Sequence, residues 1–149
     1  MRRLDGVSYW VTEDPVEIFE FVNTNIRREW ESDSKSEGKD PKESEWLQNL
    51  ASRKWRLEVV GIDQVKLNEE LMHYSDSMTG YDFAARLQER KRVLVRDIKD
   101  YGRVIPPVIL RAEDNQLMDG YCRYSTLKDM GLKSIYAYIG NLQGRTPQQ

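Results

Sequence analysis

The sequence predicts an α+β fold: a small mixed sheet with helices, preceded by an N-terminal helical extension. The last third of the chain alternates short stretches rich in β-branched residues with one helical stretch. Two longer stretches, residues 12–31 and 81–102, carry apolar side chains at helical spacing between start and stop signals. With 149 residues, 39% of them hydrophobic, the chain can form one compact domain, or one domain with an added subdomain.

The first helix is predicted from "TEDPVEIFEFVNTNIRREWE", which follows a short candidate strand, "VSYWV". Asp14 is a good N-cap residue, and Pro15 suits the first helical position because its missing N–H has no partner there in any case. The side chains expected on the core face of this helix are Phe19, Val22, Ile26 and Trp30.

The segment "SDSKSEGKDPKES" has no apolar residue to bury and predicts a solvated, mobile loop over residues 32–44. The next segment, "EWLQNLASRKW", is predicted to resume a helix. We therefore expect residues 1–54 to form a helical subdomain, and we place a domain boundary near Trp55.

The central part of the chain changes character. "RLEVVGIDQVKL" has β-branched residues on both sides of Gly61, which predicts a strand, a bend and a second extended piece. "NEELMHYSDSMTG" is turn-like. "YDFAARLQERKRVLVRDIKDYG" predicts a helix that Asp82 caps and Gly102 ends. Its expected core face comprises Leu87, Leu94, Ile98 and Tyr101.

In the last third, "PPVILRA" and "QLMD" predict two strands joined by the turn "EDN". "YCRYSTLKDMG" predicts a helix and "SIYAYIG" a final strand. We expect residues 55–140 to form one domain and residues 141–149 to be a polar tail.

Composition narrows the classes of function. Lys and Arg number 23 against 25 Asp and Glu, for a formal net charge of −2, so no overall positive field attracts nucleic acid. The single cysteine, Cys122, excludes an internal disulfide. No apolar run approaches the roughly 20 residues that span a bilayer. We therefore expect a cytoplasmic protein that binds no membrane.

The stretch "DGYCR" passes from a predicted strand into a predicted helix through Gly120. A glycine lets backbone approach a ligand closely, and the free N–H groups of a helix N-terminus favour phosphate. Arg123 can add a charge-assisted grip on phosphate oxygens. Asp119 either holds a metal ion, accepts a proton from a substrate hydroxyl, or is simply the N-cap of the helix.

The block from Leu94 to Gly140 is similar to the core of the ParB/sulfiredoxin-like superfamily. In that superfamily a helix ends in Gly, a Pro leads into a strand, and a hairpin returns to a G-x-x-R motif that opens a helix. Those places are taken here by Gly102, Pro107, and Gly120 with Arg123, and "STLKDMG" resembles the stretch before the last strand.

The branches of this superfamily differ in their expected activities. The reactive cysteine of sulfiredoxin directly follows the motif glycine, where this chain has Tyr121, so we expect no sulfiredoxin activity. Cys122 falls one residue later and is expected to be a small packed hydrophobe. ParB proteins continue into a DNA-binding domain, whereas this sequence has nine residues after Gly140, so we do not expect the ParB partition function.

The free-serine kinases of the superfamily match in two places. Their "DG-x-HR" resembles "DGYCR", and their "HEE" resembles "NEE" at Asn68 to Glu70, with Asn68 and Cys122 in place of histidines. The resemblance implies a nucleotide pocket, for ATP or ADP and less expectedly CTP, with Mg²⁺ held by Asp119 and the phosphates rather than by protein ligands alone. The implied phosphate-binding residues are Gly120, Tyr121, Cys122 and Arg123, and the implied catalytic carboxylates are Glu69, Glu70 and Asp119.

Two functions from different classes remain. One is an ATP- or ADP-dependent phosphotransferase (a kinase) or a nucleotide hydrolase, acting on a small-molecule substrate. The alternative is a non-enzymatic ParB-like module that binds DNA or a protein. The basic run "RLQERKRVLVR" does not decide between them, because interleaved acidic residues make a solvated helix face the simpler interpretation.

Overall fold

The computed structural model of the chain describes residues 1–32 and 49–142. Most of the predicted loop over residues 32–44, the first part of the helix predicted after it, and the tail from residue 143 lie outside the described residues, as do the side chains of Trp30 and Trp46. The described residues combine helices with a small mixed sheet, so the predicted α+β class is confirmed. The division of the chain at Trp55 stays a prediction.

The main sheet has four strands, with bounds β3 Arg53–Gly61, β6 Val108–Arg111, β7 Leu117–Asp119 and β8 Ser134–Leu142. Their order across the sheet is β3-β8-β6-β7. β8 runs antiparallel to β3 and parallel to β6, and β7 runs antiparallel to β6. Two small hairpins accompany the sheet, with bounds β1 Arg2–Leu4, β2 Val7–Tyr9, β4 Ser75–Asp76 and β5 Tyr81–Asp82.

Helix α1, Pro15–Ser32, packs against the main sheet. It begins as predicted, because the Asp14 carboxylate accepts a hydrogen bond from the Val16 N–H at 3.0 Å. On its inner face Val22 and Ile26 are fully buried and Phe19 is partly buried, as expected, and Ile18 joins them. They pack in one cluster with side chains from the sheet, namely Trp55, Ile109, Met118 and Tyr138.

A second hydrophobic cluster holds α3, Phe83–Tyr101, and α4, Tyr121–Asp129, against the sheet. The ends of α3 are as predicted: Asp82 accepts from the Ala85 N–H at 3.2 Å, and Gly102 has a left-handed conformation. Leu87, Leu94 and Ile98 are buried as expected. Tyr101 is 75% exposed, so its placement on the core face was wrong. It is the last helical residue, where the apolar face is no longer covered.

The helix predicted over residues 45–55 is wrong in its described part. Leu50–Ser52 is a single 3₁₀ turn, and β3 begins directly at Arg53. All nine residues of β3 pair with β8, and the Trp55 indole N–H donates to the Leu50 carbonyl at 3.2 Å. This long-range pairing outweighs the local helical pattern.

The turn-like segment after residue 67 contains one short helix, α2, Glu69–Met72. Asn68 caps it, because its side-chain Oδ1 accepts a hydrogen bond from the Leu71 N–H at 3.2 Å. None of the helices in the described ranges is both long enough and apolar enough to cross a membrane.

Candidate phosphate-binding turn

Gly120 joins β7 to α4 in a conformation and a space that only glycine fits. Its φ of +102° and ψ of 29° lie in the left-handed region. A Cβ atom at this position would stand 2.8 Å from Val108 Cγ1 and 2.8 Å from Arg123 Nη2. The predicted strand-glycine-helix turn is therefore present, and the Gly120 backbone packs closely against the side chains of Val108 and Arg123.

The first turn of α4 supplies the donors expected of a phosphate site. The helix has nine residues, and the Tyr124 N–H makes its first backbone bond, to the Gly120 carbonyl at 2.8 Å. The preceding N–H groups have no intrahelical acceptor, as at the start of any α-helix. They carry the positive end of the helix dipole, which favours an anion.

Asp119 does not cap this helix. Gly120 occupies the N-cap position and no side chain makes the cap bond, so the N-cap alternative for Asp119 is wrong. Asp119 is instead the last residue of β7 and is only 6% exposed. Its Oδ2 accepts a hydrogen bond from Arg123 Nη2 at 3.4 Å, which places a carboxylate and a guanidinium side by side at the turn.

The Arg123 guanidinium is held by hydrogen bonds from Nη2, and its Nε–H has no acceptor among the described residues. Its Nη2 also donates to the Pro107 carbonyl at 3.3 Å, just before β6. Its Nε is buried and has no hydrogen-bond partner within the described part of the chain. A buried, unpaired donor on a charged group is unfavourable. An acceptor oxygen of a ligand that reached this N–H would accept a hydrogen bond from it and remove that penalty.

Tyr121 and Cys122 contribute differently from Arg123. The buried Tyr121 hydroxyl donates to the Leu117 carbonyl at 3.2 Å and accepts from the Asn68 N–H at 3.1 Å, and its ring lies edge-on to Phe83. The Tyr121 side chain therefore belongs to the core. Only the backbone N–H of Tyr121 is available as a donor to a phosphate. Cys122 is half-buried and packs against the same core.

Glu69 and Glu70 lie in the first turn of α2, and both are exposed. The hydrogen bond from the Asn68 N–H to the Tyr121 hydroxyl joins the residue before α2 to the end of the Tyr121 side chain. Glu69 Oε2 lies 3.8 Å from His73 Nε2, a pair that is ionic only when the histidine is protonated. Neither glutamate makes a hydrogen bond or ion pair with Asp119 or Arg123 in the described part of the chain, and their place beside the turn stays a prediction.

Tyr9 is a buried tyrosine of the N-terminal hairpin that the sequence did not single out. It is 1% exposed, and β2 is tied to the segment before β6 through the Trp10 N–H, which donates to the Ile105 carbonyl at 3.0 Å. Its hydroxyl is buried and has no hydrogen-bond partner among the described residues. Burial raises the pKa of Tyr9 to about 12; the nearby Tyr136 backbone opposes this effect, and the charge of Asp5 adds to it.

This raised pKa predicts a loss of stability at high pH. Between about pH 10 and 12 the unfolded state loses the Tyr9 proton while the folded state retains it, so the free energy of unfolding falls as the pH rises. Tyr138, whose pKa burial also raises, acts in the same direction. Tyr9→Phe should reduce the fall by about 2 kcal/mol, measured by urea unfolding of both proteins at pH 9 and pH 11.5. Parallel pH profiles for the two proteins would contradict this.

Similarity to known proteins is found among solved structures. No protein-family model matches the chain, and no curated protein matches it. Similar solved structures include the following three. Two are of the Pnob8-like ParB-N domain, with 20% identity over 61% of this chain at a TM-score of 0.42, and 21% over 65% at 0.39. The third is sulfiredoxin from Arabidopsis thaliana, with 16% identity over 56% of this chain at 0.40.

The chain spans 32% and 31% of the two ParB structures and 82% of the sulfiredoxin. These are the two kinds of protein that the sequence resemblance named, and TM-scores of 0.39 to 0.42 assign the chain to neither of them. At identities of 16 to 21% the likeness concerns the fold alone. The roles of the site residues are therefore argued from this chain's own geometry.

Proposed function

We propose that the chain binds a phosphate-bearing ligand of the nucleotide class at the turn between β7 and α4, and that it transfers or hydrolyses a phosphoryl group there. The observation that carries this proposal is the Arg123 guanidinium, which lies at a helix N-terminus with a buried Nε that has no partner in the described chain. Helix dipole and guanidinium then act on the same anion.

The Asp119–Arg123 pair supports this arrangement in two ways. Together with the Pro107 carbonyl, it keeps the guanidinium oriented before a ligand arrives, which lowers the entropy lost on binding. The pair is also long, at 3.4 Å, so an incoming phosphate competes with a weak contact rather than a strong one.

Asp119 also bears on a metal ion. The described residues contain no group of three or more His, Cys, Asp or Glu side chains that could hold one. A Mg²⁺ ion at this turn would therefore need phosphate oxygens beside the Asp119 carboxylate, and it would supply charge neutralisation during phosphoryl transfer.

For turnover, the proposal relies on a carboxylate near the transferred group. Glu69 and Glu70 are exposed at the start of α2, and the proposal assigns this role to one of them. A carboxylate there can accept a proton from the attacking hydroxyl or water. This assigns binding to Arg123 and catalysis to a glutamate.

The proposal predicts that substitutions will separate affinity from rate. Arg123→Ala removes a charge-assisted contact worth about 1.5 to 3 kcal/mol, so nucleotide affinity should fall by about one to two orders of magnitude. Glu69→Gln or Glu70→Gln should lower the rate with little change in affinity. Calorimetry with ATP, ADP and CTP, with and without Mg²⁺, gives the affinities, and phosphate release or transfer gives the rates.

The matched control is Arg90→Ala, which removes the same charge from an exposed position on α3. Its nucleotide affinity should equal that of the wild type. Arg123→Lys tests geometry, since it retains the charge and loses the planar fork. A wild-type protein that binds none of the three nucleotides under either condition would refute the enzyme proposal.

A DNA-binding or protein-binding module is the second candidate, and the exposed basic side chains of α3 favour its DNA form. They are Arg86, Arg90, Arg92, Arg96 and Lys99. Contacts of this type to the phosphate backbone weaken steeply with salt. If nucleotides fail to bind, retention of duplex DNA at low salt, lost in Arg90→Ala, would support this function instead.

A further inference from the structure

A cleft of about 220 Å³ lies between α3 and the C-terminal half of α4. It is separate from the phosphate-binding turn, which lies at the N-terminus of α4. Lys91, Arg92 and Lys99 line it from α3, and Thr126 and Asp129 line it from α4. The proposed catalytic site uses none of these residues.

Thr126 gives the cleft a buried polar group that the chain does not satisfy. The residue is 1% exposed, and its Oγ1 is buried with no hydrogen-bond partner in the described ranges. A threonine inside a helix usually bonds to the carbonyl four residues earlier, and this one does not. A buried hydroxyl without a partner is unfavourable, so a ligand that reached it from the cleft would remove this penalty.

The charges around the cleft are unbalanced. Three cationic side chains line it against one carboxylate, and that carboxylate, Asp129, forms an ion pair with Lys91. No ion pair is found for Arg92 or Lys99 in the described part of the chain. The side chains of the lining therefore carry a surplus of two positive charges, which outweighs the partial negative charge at the C-terminus of α4 and favours an anionic ligand.

The remaining lining and the size of the cleft limit the ligand further. Val95 and Met130 add apolar surface beside the cations. Pockets for drug-sized ligands span about 300 to 1,000 Å³, so this one is too small for a nucleotide. It has room for a phosphate group with a short organic part.

We propose that the cleft between α3 and α4 binds a small phosphate monoester, with Arg92 and Lys99 on the phosphate oxygens, the Thr126 hydroxyl as a further donor, and Val95 and Met130 against the organic part. Phenyl phosphate and inorganic phosphate are the probes, since they differ in the apolar part. Amide NMR titration of the full chain should give saturable shifts at residues 88–99 and 126–130, with phenyl phosphate binding more tightly than inorganic phosphate.

Two arginine variants of α3 decide whether the charge belongs to a site. Arg92→Gln should weaken phenyl phosphate binding about tenfold or more, as expected for loss of a charge-assisted contact. Arg90→Gln makes the same change on an exposed residue that does not line the cleft, and should leave binding unchanged. Equal weakening by both variants would indicate a diffuse basic surface, as for nucleic acid, and would overturn the proposal.

Thr126→Val tests the hydroxyl by two measurements, the stability of the free protein to urea and its affinity for phenyl phosphate. It removes the unpaired hydroxyl, so the urea midpoint of the free protein should stay the same or rise. Phenyl phosphate affinity should fall about tenfold, because the ligand loses a buried donor. A lower urea midpoint with unchanged affinity would show a structural hydroxyl and would overturn the role of Thr126.

The two sites are distinguished by crossing the variants. Arg123→Ala should leave phenyl phosphate binding at the cleft intact, whether or not nucleotides bind at the turn. Absence of saturable shifts with both probes in the wild-type protein would refute the cleft proposal and leave the proposed function untouched.

Discussion

Replacing Asp114 with alanine is expected to lower the free energy of unfolding by about 3 kcal/mol, because it leaves a buried guanidinium without its carboxylate. Arg111 is 1% exposed at the end of β6. Its Nε and Nη2 donate to the two carboxylate oxygens of Asp114 at 2.7 and 2.8 Å. Because the pair is bidentate and Arg111 is buried, removing either partner alone is expected to lower the free energy of unfolding strongly.

The matched control is Glu13→Ala, which removes a carboxylate from the exposed Arg2–Glu13 pair. Exposed pairs of this kind contribute about 0 to 1 kcal/mol. Urea unfolding at pH 7 compares the two variants. The double replacement Arg111→Met with Asp114→Leu should recover much of the loss, because no unpaired buried charge remains. Similar losses for Asp114→Ala and Glu13→Ala would show that burial of Arg111 carries no such cost.

The same hairpin turn supplies a second carboxylate to a second buried arginine. Glu113 accepts from Arg53 Nη1 and Nη2 at 2.7 and 2.8 Å, and Arg53 is 3% exposed at the start of β3. Burial acts to raise the pKa of Glu113, but the hydrogen bond and charge of Arg53 outweigh it and lower the pKa. This pair therefore stabilises the fold at neutral pH, and that contribution is lost as the pH falls through the carboxyl pKa.

The features that could be predicted from the sequence are those with local causes. Asp14 with Pro15, and Asp82 with Gly102, set helix ends through contacts within a few residues. The start of β3 could not be found this way, because its pairing partner β8 lies about 80 residues further along the chain. The turn "EDN" was predicted as a turn. Its ion pairs with the two buried arginines could not be predicted, because the fold brings the strands that carry those arginines together.

The candidate site divides in the same way. The approach of backbone at Gly120 follows from five consecutive letters, and the structure contains that turn. Tyr9 is buried because the N-terminal hairpin pairs with the segment before β6, where the Ile105 N–H donates to the Ser8 carbonyl at 3.1 Å. No pattern within the sequence links positions so far apart, so Tyr9 could not be foreseen.

Gly120→Ala is the second change with a large expected effect, about 3 kcal/mol of lost stability. A side chain at positive φ costs about 1 kcal/mol. The new methyl group would also stand 2.8 Å from Val108 Cγ1, inside a buried contact, and overpacking of this kind typically adds 1–3 kcal/mol. Urea unfolding of the variant measures the sum of the two terms.

Gly131→Ala separates those terms, because Gly131 also has a positive φ, of +82°, but a Cβ there would meet nothing within 4 Å. It should cost only the conformational part, about 1 kcal/mol. The functional consequence is specific to Gly120, since its new Cβ would also stand 2.8 Å from Arg123 Nη2 and displace the guanidinium. Nucleotide affinity should therefore fall in folded Gly120→Ala and stay at the wild-type value in Gly131→Ala. An unchanged affinity in both would mean that the position of Arg123 at the turn is not what binds phosphate.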